Sequence, residues 1–135
     1  MKGSVAFVLY GKSVLVVDDD AGVRRSVAVA LAAAGCDPYE AAEGGEAVAM
    51  LERTHIDLAV IDLVMPGKEG LETIIEAKRR WPALMVIAIS GGAGAHYDYL
   101  GLARSLGADS TMMKPLNLKD MLEQIERLLT SGPAV

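Results

Sequence analysis

Short apolar runs alternate with stretches of helical periodicity along the whole chain. The runs fall at 13–17, 36–40, 57–61, 84–89 and 109–113 and predict strands. Between the first two, Val23, Val27, Ala30, Leu31 and Ala34 recur at the spacing of one helix face, with Asp20 placed to cap its start and Gly35 to end it. A second helix at 45–53 turns Ala47, Val48 and Leu51 inward, and a third at 70–80 turns Leu71, Ile74 and Ile75 inward before Trp81-Pro82 stops it. A fourth covers 97–106 and ends at Gly107. The last, at 118–129, has the clearest stripe, Met121, Leu122, Ile125, Leu128 and Leu129, whose spacing marks core packing rather than a cofactor box.

Strict strand–helix alternation predicts βα units around a parallel sheet, an open three-layer α/β sandwich. Right-handed crossovers bring every strand's C-terminal end to one edge, where such sheets bind ligands. Asp18, Asp19, Asp62, Ser90 and Lys114 all fall at or just after those ends. Three carboxylates crowded at one edge repel one another unless a cation or protons neutralise them, so the acid-tipped strand VLVVDDD and the strand LAVID together predict a metal site.

The 135 residues suit one domain, read as an N-terminal extension at 1–12, the domain at 13–130 and a tail at 131–135. A net charge of −5 argues against a nucleic-acid surface, which needs clustered Lys and Arg, so no direct contact with nucleic acid is expected. Cys36, the one cysteine, has no intramolecular partner and reads as a small core residue. The apolar segment at 4–10 is too short to span a bilayer and lacks a cleavage pattern, so a cytoplasmic protein without a membrane partner is expected. Ala6 to Ser13, AFVLYGKS, satisfies a relaxed phosphate-loop pattern but leads into a strand rather than a helix, and Gly91-Gly92-Ala93-Gly94 lacks the spacing of a dinucleotide fingerprint. His55 and His96 read as surface residues.

Four segments in order, VLVVDDD, IDLVMPGKEG, IAISGG and GADSTMMKPL, give the chain from Ser13 to about Leu129 a resemblance to the receiver domains of bacterial two-component response regulators. The resemblance implies a flavodoxin-like sandwich whose five parallel strands run in the order 2-1-3-4-5 with five helices. It implies that Asp62 accepts a phosphoryl group from a sensor histidine kinase or phosphotransfer protein. Mg²⁺ would be held by Asp19 directly, by Asp18 through water, by Asp62 and by the backbone carbonyl of Val64. Lys114 would pair first with Asp62 and then with a phosphoryl oxygen; Ser90 would donate its hydroxyl to another, moving its loop. Pro115 would follow a cis peptide bond and aim the lysine. A downstream protein would read the switched surface, and the chain would act as a monomer or weak dimer.

Many receivers carry an aromatic residue three positions before the lysine; here that position is Thr111, so the signal is expected to leave through reordering of 91–99 instead. After the last helix only Thr130 to Val135 remain, which reads as a stand-alone receiver or an excised one. Two other readings compete. One is an Mg²⁺-dependent phosphatase with Asp18 as nucleophile and Asp20 as the acid two residues on; the other is a degenerate receiver used only for protein contacts.

Overall fold

A computed structural model describes residues 8–63, 69–91 and 99–131. Five parallel strands, β1 Ser13–Val17, β2 Asp37–Ala41, β3 Leu58–Asp62, β4 Met85–Ser90 and β5 Ser110–Met113, form one sheet in the order β2-β1-β3-β4-β5. The helices are α1 Ala21–Ala33, α2 Gly44–Arg53, α3 Glu69–Arg80, α4 Tyr99–Ser105 and α5 Leu118–Ser131. The architecture is the flavodoxin-like sandwich with strand order 2-1-3-4-5 that the resemblance implies.

Alternate residues of the central strands face opposite sides, so one face carries Leu15, Val17, Ala59, Ile61, Val86 and Ala88 beneath α2, α3 and α4. The other carries Val14, Val16, Leu58, Val60, Ile87 and Ile89 beneath α1 and α5, closed by Met121, Ile125 and Leu128. Cys36 lies in this second layer, and burial, followed by the nearby Asp37 and Asp57 charges, pushes its thiol up to about 11. Among the described residues no helix is long and apolar enough to cross a membrane.

Strand β1 has the sequence-predicted bounds, whereas the other four start one residue later than the apolar runs. The cause is local: the Cys36 amide donates to Leu31 O and closes the α1 terminus, while Leu84 donates to Trp81 O in the turn before β4. At their other ends β3 and β4 extend to Asp62 and Ser90, with Asp62 in register with Ile89, so both polar residues sit on the sheet rather than beyond it.

One inward assignment fails. Ile75 is 44 % exposed, and the buried stripe of α3 is Leu71, Ile74 and Ala77 with Thr73. Residue 75 lies about 100° around the helix from 74, which carries it past the groove edge that the smaller Ala77 fills. Val48 is only half-buried, and Ala28 joins Val27 and Leu31 under α1. Helix α4 ends at Ser105, and positions 97–98 of its expected start lie outside the described residues, as does His96.

Residues 8–12 dock against the domain. Leu9 is fully buried among α1 and α5, and the Gly11 amide, at φ +77, donates to Gly35 O across the end of α1. The Gly-Lys-Ser sequence at 11–13 therefore turns directly into β1, without the strand-to-helix geometry a phosphate loop requires.

Candidate functional site

Each acid reaches the C-terminal sheet edge because its own strand stops there. Asp62 ends β3 at 2 % exposure, Asp18 follows β1 at 3 %, and Asp19 beside it is exposed. One carboxylate oxygen from each of Asp18, Asp19 and Asp62 lies within 4.8 Å of the other two. Lys114, just beyond β5, places Nζ 3.1 Å from Asp18 Oδ2 and 3.1 Å from Asp62 Oδ2. Burial opposes the ammonium form of Lys114, but its hydrogen bonds to Asp18 and Asp62 outweigh that and raise its pKa above the ordinary lysine value. One ammonium against three carboxylates leaves an excess of negative charge, and the donors are hard oxygens, the set that suits a small divalent cation.

The backbone keeps these groups in place. The Lys114 amide donates to Ser90 O at 2.8 Å, joining the ends of β4 and β5, and Ser90 itself is buried. The Lys114–Pro115 peptide is cis. Asp20 points away from the cluster: its Oδ1 accepts from the amides of Gly22 and Val23 at 2.9 and 3.2 Å, capping α1 as its position in the sequence predicts. The Asp20 amide in turn donates to Asp18 Oδ1 at 2.9 Å. A cleft of about 800 Å³ opens beside the cluster between Val23 and Val27 of α1 and Lys114, Pro115, Leu116 and Leu118. Val64 and the segment 92–98 lie outside the described residues.

A profile of the response regulator receiver domain matches residues 14–126 of this chain. The chain belongs to the response regulator receiver family. It is 30% identical over 126 residues to the phosphate regulon transcriptional regulatory protein PhoB of Pseudomonas aeruginosa, covering 93% of this chain and 55% of that protein. It is also 30% identical over 118 residues to Protein PilG of the same organism, covering 86% of each. The chain spans about half the length of several curated relatives it matches, among them two probable transcriptional regulators named ycf27. Among solved structures, a CheY-like receiver domain protein from Methanospirillum hungatei superposes with a TM-score of 0.83 at 32% identity, covering 90% of this chain and 96% of that one. A response regulator from Thermotoga maritima superposes with a TM-score of 0.79 at 28% identity, covering 90% and 99%. Receivers are signalling domains that meet histidine kinases and downstream effectors rather than conventional enzymes, and they bind Mg²⁺ at an acidic pocket.

Two arginine contacts of this receiver have no signal in the apolar pattern, Arg104 to Thr111 and Arg24 to Asp18. Thr111, in the position often held by an aromatic residue, accepts a hydrogen bond from Arg104 of α4 at 3.0 Å, which ties that helix to β5. Arg24, one turn into α1, donates through Nη1 to Asp18 O at 2.8 Å and through Nε to Glu40 Oε1 at 3.1 Å. Nothing in the apolar pattern marks Arg104 or Arg24. The available signal was Glu40, an acid near the end of β2 on the same edge as the Asp cluster.

Proposed function

We propose that this receiver accepts a phosphoryl group on Asp62, with Mg²⁺ held by Asp18, Asp19, Asp62 and the Val64 carbonyl, and that the change alters a surface read by a downstream protein. The observation that carries the reading is the placement of Asp62: almost wholly buried at a strand end, within 4.8 Å of two further carboxylates and 3.1 Å from an ammonium. An Asp62 carboxylate oxygen attacks phosphorus of a phosphohistidine. The P–N bond breaks as the P–O bond forms, the imidazole leaves with the electron pair and takes up a proton, and the product is an acyl phosphate. Mg²⁺ supplies charge neutralisation for the acids and the phosphoryl oxygens. Lys114 then pairs with one phosphoryl oxygen and Ser90 donates its hydroxyl to another. The donor is a sensor histidine kinase or phosphotransfer protein, and the setting is cytoplasmic.

The phosphatase reading fares worse on the hydrogen bonds. Both Asp18 oxygens are engaged, one by the Asp20 amide and one by Lys114, and Asp20 spends its carboxylate on the α1 amides instead of serving as an acid. The test is incubation with Mg²⁺ and acetyl phosphate, followed by intact mass of wild type, Asp62→Ala and Asp18→Ala. An adduct of one phosphoryl group in wild type, absent from Asp62→Ala, supports the receiver. Turnover that survives Asp62→Ala but not Asp18→Ala supports the phosphatase, and no adduct with any donor supports a pure interaction module.

A further inference from the structure

We propose that Arg24 and Glu40 form a brace that positions Asp18 and Asp19 for the divalent cation, an inference that rests on reading the acidic cluster as a metal site. Strand β2 grips Asp18 by two routes. Directly, the Asp18 amide donates to Ala41 O at 3.1 Å. Indirectly, Glu40, the neighbour of Ala41, holds the Arg24 guanidinium, whose second nitrogen holds Asp18 O.

Asp18 is thereby fixed at four points: its amide by Ala41, its carbonyl by Arg24, Oδ1 by the Asp20 amide and Oδ2 by Lys114. Fixing the peptide between Asp18 and Asp19 from the carbonyl side sets where the Asp19 side chain, otherwise exposed, leaves the backbone. A ligand pre-set in this way binds a cation without the loss of loop freedom that an unbraced one would suffer.

The geometry suits the fork of an arginine, whose two donor nitrogens are set apart by a rigid plane. The planar fork sends Nε to a carboxylate and Nη1 to a carbonyl in different directions, whereas a lysine ammonium has a single nitrogen to offer. The neighbouring Arg25 also meets Glu40, through its other oxygen at 3.1 Å, but its side chain is 72% exposed against 19% for Arg24.

Electrostatics and positioning give opposite signs, which makes the brace testable. Removing a cation near three carboxylates strengthens the attraction for Mg²⁺, so an Arg24 acting only by its charge yields tighter binding when neutralised. A positioning Arg24 yields weaker binding.

The experiment is calorimetric titration of Mg²⁺ into the full chain for wild type, Arg24→Met, Arg24→Lys and Arg25→Met, with a thermal melt of each to set a temperature at which all are folded. The brace gives a Kd about tenfold higher for Arg24→Met, a smaller rise for the charge-conserving Arg24→Lys, and an unchanged Kd for Arg25→Met. In the metal-free protein, exchange of the Asp20 amide also quickens in Arg24→Met. If Arg24→Met does not fold, Arg24→Lys decides alone, because charge by itself leaves its Kd unchanged. Equal or tighter Mg²⁺ binding by the folded Arg24 variants overturns the brace. Absence of Mg²⁺ binding by wild type overturns the metal reading and the brace with it.

Discussion

Gly70, in the first turn of α3, lies so close to Asp62 that a Cβ at 70 would stand 2.5 Å from the Asp62 carbonyl oxygen and 2.8 Å from the Cα of Leu63. Both neighbours are backbone and neither has a rotamer to yield. Gly70→Ala is therefore expected to displace α3 or the end of β3 and to cost about 1–3 kcal/mol, in the range of overpacking. Urea unfolding measures the loss, and phosphorylation rate measures whether Asp62 moved; a stability equal to wild type contradicts the close packing.

At the opposite edge Asp57 clips the starts of β1 and β3 together. Its Oδ2 accepts from the Ser13 amide at 2.8 Å and the Ser13 hydroxyl at 3.1 Å, and Oδ1 pairs with the His55 ring at 3.0 Å. Burial opposes the charged carboxylate, but these hydrogen bonds outweigh it and hold the pKa below the ordinary 3.8. A depressed carboxyl adds stability that is present above its unfolded value and lost as pH falls through its folded one. The stability difference between wild type and Asp57→Asn is thus expected to shrink as pH falls below about 4. Paired urea melts across that range check it, and a difference that widens on acidification contradicts it.

Lys78 of α3 joins three pieces of the same edge: its Nζ donates to Leu84 O at 2.7 Å and pairs at 3.0 Å with Asp109 Oδ2, which also accepts the Val86 amide at 2.8 Å. Asp109→Ala leaves the Val86 amide and a largely buried ammonium short of a partner, at an expected cost of about 2–3 kcal/mol. Lys78→Met keeps the apolar stem and the Asp109–Val86 bond and is expected to cost less. Chemical denaturation of both variants tests the order.

How much of this was legible in the sequence depends on what each residue does. The stripe of α5 and the bounds of the fully buried β1 read correctly because burial alone decides them. Ile75 misread because periodicity gives the direction of a face but not its width, and the small Ala77 completes the groove. The placement of Asp18, Asp62, Ser90 and Lys114 at one sheet edge was recognisable because strand ends mark that edge, and Asp20 because a cap has a fixed place. Arg24 was invisible: its role depends on a backbone carbonyl of Asp18 and on Glu40 of β2, and neither relation exists until the sheet has formed. The strand starts slipped by one residue for a similar reason, since turn hydrogen bonds at Cys36 and Leu84 compete with the ladder for the first position.

Neutralising the acids separates their two roles. Asp19→Asn is expected to weaken Mg²⁺ binding by about tenfold or more while leaving the fold intact, because Asp19 is exposed and its loss removes charge from the cluster without opening the core. Calorimetry with a thermal melt of the same sample measures both, and unchanged Mg²⁺ affinity contradicts the assignment of Asp19 as a ligand.

The most direct test of Asp62 as phosphoacceptor is to find the acyl phosphate on the chain. Borohydride reduces an aspartyl phosphate to homoserine, so treatment of the protein after incubation with Mg²⁺ and acetyl phosphate, followed by peptide sequencing by mass spectrometry, marks the residue that carried it. The expected result is homoserine at position 62 that requires both Mg²⁺ and the donor. Homoserine at 18, 19 or 20, or at no aspartate, contradicts it.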